Sequence, residues 1–156
     1  MTDFAPLDLV ERFDHVAMAV WDVSTMLPLV EVLGGRFRNG GDVPAAGFKW
    51  VQFHLPEAGK LELLQPLDPE DTAHFMVRFL QTKGEGLHHL TFKVTDLATA
   101  VDEARRRGFD VVGVDTTGAR KEAFLHPVST RRVQEQFAEW DESDPPEHRA
   151  SLADIL

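Results

Sequence analysis

The 156-residue sequence has no cysteine, no long run of Lys or Arg and no long apolar stretch. Without cysteine there is no disulfide scaffold, thiolate zinc site, iron–sulfur cluster or cysteine nucleophile, and the chain fits a reducing compartment, so a cytoplasmic protein is expected. Sixteen Lys+Arg stand against 26 Asp+Glu, a net charge of −10. That balance lacks the positive footprint needed to bind nucleic acid or an anionic membrane, so the expected partner is a small molecule. No segment approaches the roughly 18 to 20 apolar residues that cross a bilayer. The start, Met1-Thr2-Asp3-Phe4-Ala5, has an early acid and no basic segment leading into an apolar one, unlike a secretory signal. What the chain does have is 43% hydrophobic residues and seven histidines, enough for one cored domain or two small fused modules.

Hydrophobic periodicity predicts the elements. Residues 13–20 (FDHVAMAV) alternate as a buried strand that includes His15. A helix follows, capped by Asp22 or Ser24, carrying Met26, Leu29, Val30 and Leu33, and stopped by Gly34-Gly35. A strand over 36–43 is expected to break at Asn39-Gly40-Gly41, and strands 48–55 and 60–65 flank a turn at 56–59. A helix is predicted over 70–82. The pattern then restarts with strand 87–94, helix 96–107 ending at Gly108, and strands 109–114, 122–125 and 133–138. Each half therefore reads βαβββ. The expected organisation is a lead-in at 1–12, one domain over 13–138 and an acidic flexible tail at 139–156. The domain comprises module one (13–67), a linking helix (68–86) and module two (87–138).

The two modules align at a shift of 74 residues. His15-Val16-x-Met18-x-Val20-x-Asp22 falls on His89-Leu90-x-Phe92-x-Val94-x-Asp96, and Gly34 falls on Gly108. The same shift carries Glu62, set among Leu61, Leu63 and Leu64, onto Gln136. Two like modules related by a pseudo-two-fold would gather His15, Glu62, His89 and Gln136 around one cavity. Two imidazoles, a carboxylate and an amide oxygen suit a divalent ion such as Co, Mn, Zn, Ni or Fe. Taken singly, a strand histidine also serves as a hydrogen-bonded core residue. Glu62 is costly to bury without a partner if it points inward, and ordinary if it points outward.

With these residues in place, the chain resembles the vicinal oxygen chelate superfamily (glyoxalase/bleomycin resistance/dioxygenase), whose paired βαβββ modules form a cupped mixed sheet around a metal. The segments FDHVAMAV, KLELLQPL, GEGLHHLTFKVTDL and FLHPVST look most like methylmalonyl-CoA epimerases over about residues 13–138. The implied fold class is α+β. The implied metal ligands are His15, Glu62, His89 rather than His88, and Gln136. Two positions depart from the epimerase pattern. The last ligand there is usually Glu, where this strand has Gln136, and a one-residue bulge would offer Glu135 instead. Some epimerases carry a proton-transfer Glu three residues after the glycine matching Gly47, where this chain has Trp50.

The resemblance implies a metal-dependent isomerase that stabilises the enolate of an acyl-CoA or small acid, and a homodimer. Glu62 is then the first candidate for ligand and proton carrier, and His54 a second acid/base, since imidazole titrates near neutral pH. Trp50 and Gln52 would share a face with His54 toward the substrate, although Trp50 also reads as a core residue and His54 as a solvated strand end. Arg105 to Arg107, Arg120-Lys121 and Arg131-Arg132 could meet CoA phosphates or simply be solvated. The alternatives are another enzyme of the superfamily, a dioxygenase or glyoxalase-type lyase, or a non-catalytic small-molecule binding protein of the bleomycin-resistance kind.

Overall fold

The computed structural model describes residues 5–57, 59–142 and 151–156. Its elements are β1 (Val10–Ala19), a 3-10 turn (Val23–Met26), α1 (Leu27–Val32), β2 (Arg36–Val43), β3 (Phe48–His54), β4 (Lys60–Pro66), α2 (Phe75–Lys83), β5 (Gly86–Val94), α3 (Leu97–Arg106), β6 (Val111–Asp115), β7 (Lys121–Leu125), β8 (Gln134–Glu139) and α4 (Leu152–Ile155). The strands form a mixed eight-stranded sheet in the order β2-β3-β4-β1-β5-β8-β7-β6. The chain divides into two compact units, Met1–Asp14 with His89–Ser143 and His15–His88 with Asp144–Leu156. β1 and β5 each pass from one unit into the other.

The 74-residue repeat is written into the hydrogen bonds. Asp22 and Asp96 have nearly the same backbone angles, φ −146°, ψ 115° and φ −147°, ψ 113°. Each caps the helical segment that follows it, accepting from Ser24 N (2.8 Å) and Thr99 N (2.6 Å) respectively. The helix ends match as well. Gly34 N donates to Glu31 O and Gly35 N to Val30 O, while Gly108 N donates to Arg105 O and Phe109 N to Ala104 O. This paired closure needs a left-handed residue, which Gly34 (φ +71°) and Gly108 (φ +87°) supply without a Cβ penalty. Even the helix entries agree, with Val23 N on Gln65 Oε1 and Leu97 N on Glu139 Oε2, both at 2.8 Å. Module one departs inside the helix, where Pro28 leaves a 3-10 turn and a six-residue α1 in place of the ten-residue α3.

Strand register follows the same rule. β1 runs parallel to β4 with His15 beside Lys60 and Ala17 beside Glu62, and β5 runs parallel to β8 with His89 beside Gln134 and Thr91 beside Gln136. Each module thus has its histidine and its polar residue at the same two rungs.

In the unit holding module one, both sheet faces are packed. Val20, Val23, Val30, Val51, Phe53, Leu61, Leu63 and Ile155 form one buried cluster. Ala17, Ala19, Leu64, Met76 and Leu80 form another beneath α2, with Trp50 and Phe79 against it. In the unit holding module two, α3 packs Leu97, Ala100 and Val101 on Val94 and Ala123, with Phe137 alongside.

Four expectations change. The lead-in expected over 1–12 already enters β1 at Val10. β2 does not break at Asn39-Gly40-Gly41: a bulge between Phe37 and Asn39 takes up the irregularity and pairing continues to Val43. Gly40 is there for close approach, since a Cβ would lie 2.6 Å from Trp50 O and 3.1 Å from Ile155 Cδ1. α2 starts at Phe75 rather than at 70, because Asp68 and Asp71 accept from Glu70 N (2.9 Å) and Ala73 N (3.1 Å), and these local bonds compete with helix. The expected flexible tail, 139–156, is structured at both ends. Glu139 closes β8, and Leu152–Ile155 is helical behind a reciprocal Ser151/Asp154 cap, with Ile155 buried and Lys49 Nζ bonded to its carbonyl. Residues 143–150 lie outside the described residues.

Candidate functional site

In the unit holding module one, β1 alternation puts His15 on the same face as Ala17 and Ala19, and β4 puts Glu62 on the neighbouring rungs of that face. His15 is 1% exposed, and its Nε2 lies 3.5 Å from Glu62 Oε1, whose side chain is 12% exposed. Glu62 therefore points inward. Gln52, directly across from Glu62 on β3, donates from Nε2 to Glu62 Oε2 at 2.5 Å. The Gln52 Oε1 accepts from Arg38 at 3.0 Å. Both ends of the buried Gln52 amide are thus engaged within the protein.

Trp50, Gln52 and His54 share the β3 face that carries Glu62's partner, as the regular pairing with Leu64, Glu62 and Lys60 requires. Trp50 packs against the cluster beneath α2. His54 is exposed, at the end of its strand. His88 lies with its ring 4.8 Å from Phe79 and 6.2 Å from Phe75. Burial pulls its pKa below the ordinary imidazole value, while the nearby Glu62 carboxylate opposes that shift.

In the unit holding module two, His89 is buried, with its ring edge-on to Phe124 at 5.9 Å. Gln136 is buried as well; its Oε1 accepts from Thr91 Oγ1 at 2.7 Å and from Arg120 at 3.3 Å, and its Nε2 donates to Glu122 at 2.8 Å. Arg120 is held over the Trp140 ring at 4.7 Å and lies 3.7 Å from Glu122. The β7–β8 pairing is unbroken from Lys121–Glu139 to Leu125–Glu135. No bulge offers Glu135 on the Gln136 side, and burial raises the Glu135 pKa.

Sequence reasoning missed Arg38 and Glu122, and it offered Arg120 to CoA phosphates or solvent rather than to Gln136. β3 and β7 occupy like places, but the offset between them is 72 residues. Glu122 stands across from Ala138 as Trp50 stands across from Leu64, and Phe124 across from Gln136 as Gln52 across from Glu62. A search at 74 alone passes over this. The other basic clusters are engaged or exposed: Arg106 and Arg107 both bind Glu103, and Arg131 and Arg132 are exposed residues with positive φ.

The side chains that could contribute to a metal or cofactor site are thus His15 and Glu62 in one unit, and His89 and Gln136 in the other. Nitrogen and oxygen donors of this kind suit a first-row divalent ion, and the buried His15–Glu62 pair has the chemistry such an ion needs.

The sequence profile of the Glyoxalase/Bleomycin resistance protein/Dioxygenase superfamily matches residues 14–125, and the chain belongs to that superfamily. It is 29% identical over 134 residues to the uncharacterized protein YqjC of Bacillus subtilis, covering 83% of this chain and 93% of that one. It is 30% identical over 125 residues to the ethylmalonyl-CoA/methylmalonyl-CoA epimerase of Cereibacter sphaeroides, covering 76% and 90% respectively. The crystal structure of methylmalonyl-CoA epimerase from Mycobacterium tuberculosis has the same fold, with a TM-score of 0.76 at 23% identity over 90% of this chain and 95% of that chain. Among the described residues, no helix is long and apolar enough to cross a membrane.

Proposed function

We propose that this chain is a divalent-metal-dependent isomerase acting on an acyl-CoA or a related small acid, with His15, Glu62, His89 and Gln136 holding the ion. The observation that carries this reading is the buried His15–Glu62 pair, repeated 74 residues later at the same rungs as His89 and Gln136. His15, Glu62 and His89 are the described titratable side chains suited to such an ion. The 30% identity to an ethylmalonyl-CoA/methylmalonyl-CoA epimerase supports the substrate class.

A divalent ion held by these four side chains would supply Lewis-acid stabilisation of the negative charge that develops when a thioester loses its α-proton. The protein's part is to place donors and handle the proton. Glu62 is the one carboxylate of the set, its Oε1 3.5 Å from His15 Nε2, and it would help hold the ion and accept or return the proton. His54, across from Lys60 on the Gln52 face, is the second acid/base. Trp50 narrows the substrate side of module one.

The test is α-proton exchange. Protein loaded with Co(II) is incubated with methylmalonyl-CoA in deuterated buffer and followed by proton NMR, and the same sample is assayed for interconversion of the epimers. Loss of the α-proton signal, dependent on metal and on Glu62, supports the isomerase reading. Neither exchange nor interconversion by metal-loaded protein with this ester or with ethylmalonyl-CoA rejects it.

A further inference from the structure

Module one contains a chain of contacts that the proposed chemistry does not use. It starts at the β2 bulge, where Arg38 is the extra residue between the Phe37–Phe53 and Asn39–Gln52 pairs. Bulges re-aim side chains. Here the Arg38 guanidinium reaches Gln52 Oε1 at 3.0 Å, and Gln52 Nε2 reaches Glu62 Oε2 at 2.5 Å. An amide has a donor end and an acceptor end, and a guanidinium can only donate. Arg38 therefore decides which way Gln52 faces. If the amide turned over, its N–H groups would meet a cation and its carbonyl oxygen would meet a carboxylate, and both contacts would be repulsive.

The same connectivity recurs in module two. Arg120 donates to Gln136 Oε1 and Gln136 Nε2 donates to Glu122, although Gln and Glu have exchanged strands. Two Arg→Gln→Glu relays, with Gln and Glu exchanged between like-placed strands, point to the relay as a device for orienting an amide against a carboxylate.

We infer that Arg38 and Gln52 are positioning residues for Glu62. They hold Oε2 and so set the orientation of the carboxylate whose Oε1 lies 3.5 Å from His15 Nε2. This rests on the reading of Glu62 as a metal-holding carboxylate.

The experiment is Co(II) titration of the full chain by calorimetry and visible absorption, with thermal melts of each variant. Gln52→Leu is expected to weaken Co(II) binding roughly 10- to 100-fold, as loss of an outer-shell partner does, and to shift the Co(II) d–d bands. Arg38→Met, two contacts removed from the ion, is expected to move both readouts the same way to a smaller extent. Arg38→Lys, which keeps a donor on Gln52 Oε1, should restore them toward wild type. A purely structural role would lower the melting temperature while leaving the d–d bands in place. Wild-type affinity and spectrum in Gln52→Leu overturn the inference while the metal reading stands, as does failure of Arg38→Lys to differ from Arg38→Met. Absence of Co(II) uptake by wild type removes both.

Discussion

The two modules share caps, helix stops and strand register at a constant 74-residue spacing, yet they are covered differently. Module one is packed by apolar clusters on both sheet faces, with α1 and α4 on one side and α2 on the other. The described residues of module two contain one such buried cluster, beneath α3. Its other buried strand residues include Thr91, Lys93 and Gln136, in a network with Arg120, Glu122 and Trp140. A repeat therefore fixes where a side chain emerges, and the neighbours on the adjoining strand fix what that side chain can do. Gln52 meets Glu62, whereas at the like place Phe124 meets Gln136 and supports His89.

The largest expected difference between the modules is in stability. Phe53 is 2% exposed in the two-sided core, so Phe53→Ala should cost about 3 to 5 kcal/mol, against about 1 to 2 kcal/mol for Val101→Ala under α3. Urea unfolding followed by circular dichroism measures both, and equal losses would erase the contrast in packing.

At the proposed metal centre the modules should instead be equivalent. His15→Ala and His89→Ala are each expected to lower Co(II) affinity by at least about a hundredfold, beyond the usual outer-shell effect. Equilibrium dialysis with elemental analysis reads this, and loss in only one of the two would show that the repeat is decorative in the other module.

Exchanging the residue types of module two, Glu122→Gln with Gln136→Glu, keeps net charge and composition while placing a carboxylate on β8 as on β4. Ligand charge tunes cation affinity, and roughly tenfold tighter Co(II) binding is expected. Unchanged binding in the same titration would separate Gln136 from the ion.

The smallest effect lies at the α3 end, which among the described residues has no ion-paired counterpart on α1. Hydrogen bonds from Arg106 and Arg107 hold the Glu103 carboxyl at about 2, below its ordinary 4.5. The folded state thus binds its proton later than the unfolded one, so the contribution is present above about pH 4.5 and is lost as pH falls toward 2. Glu103→Gln should lower the melting temperature slightly at pH 7, and the gap from wild type should close as pH drops below 4.5. A gap independent of pH would assign the effect to helix propensity.

Much of this is legible in the sequence. Asp22/Asp96 and Gly34/Gly108 announce helix ends because capping is local: a side chain reaches its own backbone, or glycine supplies a left-handed angle. Strand alternation placed Trp50, Gln52 and His54 on one face. The start of α2 was not legible, because Asx turns at Asp68 and Asp71 outbid a good helical pattern. The β2 bulge was hidden as well, since Asn39-Gly40-Gly41 looks like a break until Ile155 is found packed against Gly40.

By itself, the sequence determined the doubled βαβββ plan, the superfamily and the rungs carrying His15, Glu62, His89 and Gln136, because period, capping and repeat spacing are properties of the chain near each residue. Only the tertiary structure decided that Glu62 turns inward, that Gln52 and Arg38 secure it, that Glu122 and Arg120 secure Gln136, and that the chain's end packs onto β2. Those outcomes depend on which side chains adjoining strands bring within about 3 Å, and hydrogen bonds at that range are set by register and bulges between distant segments.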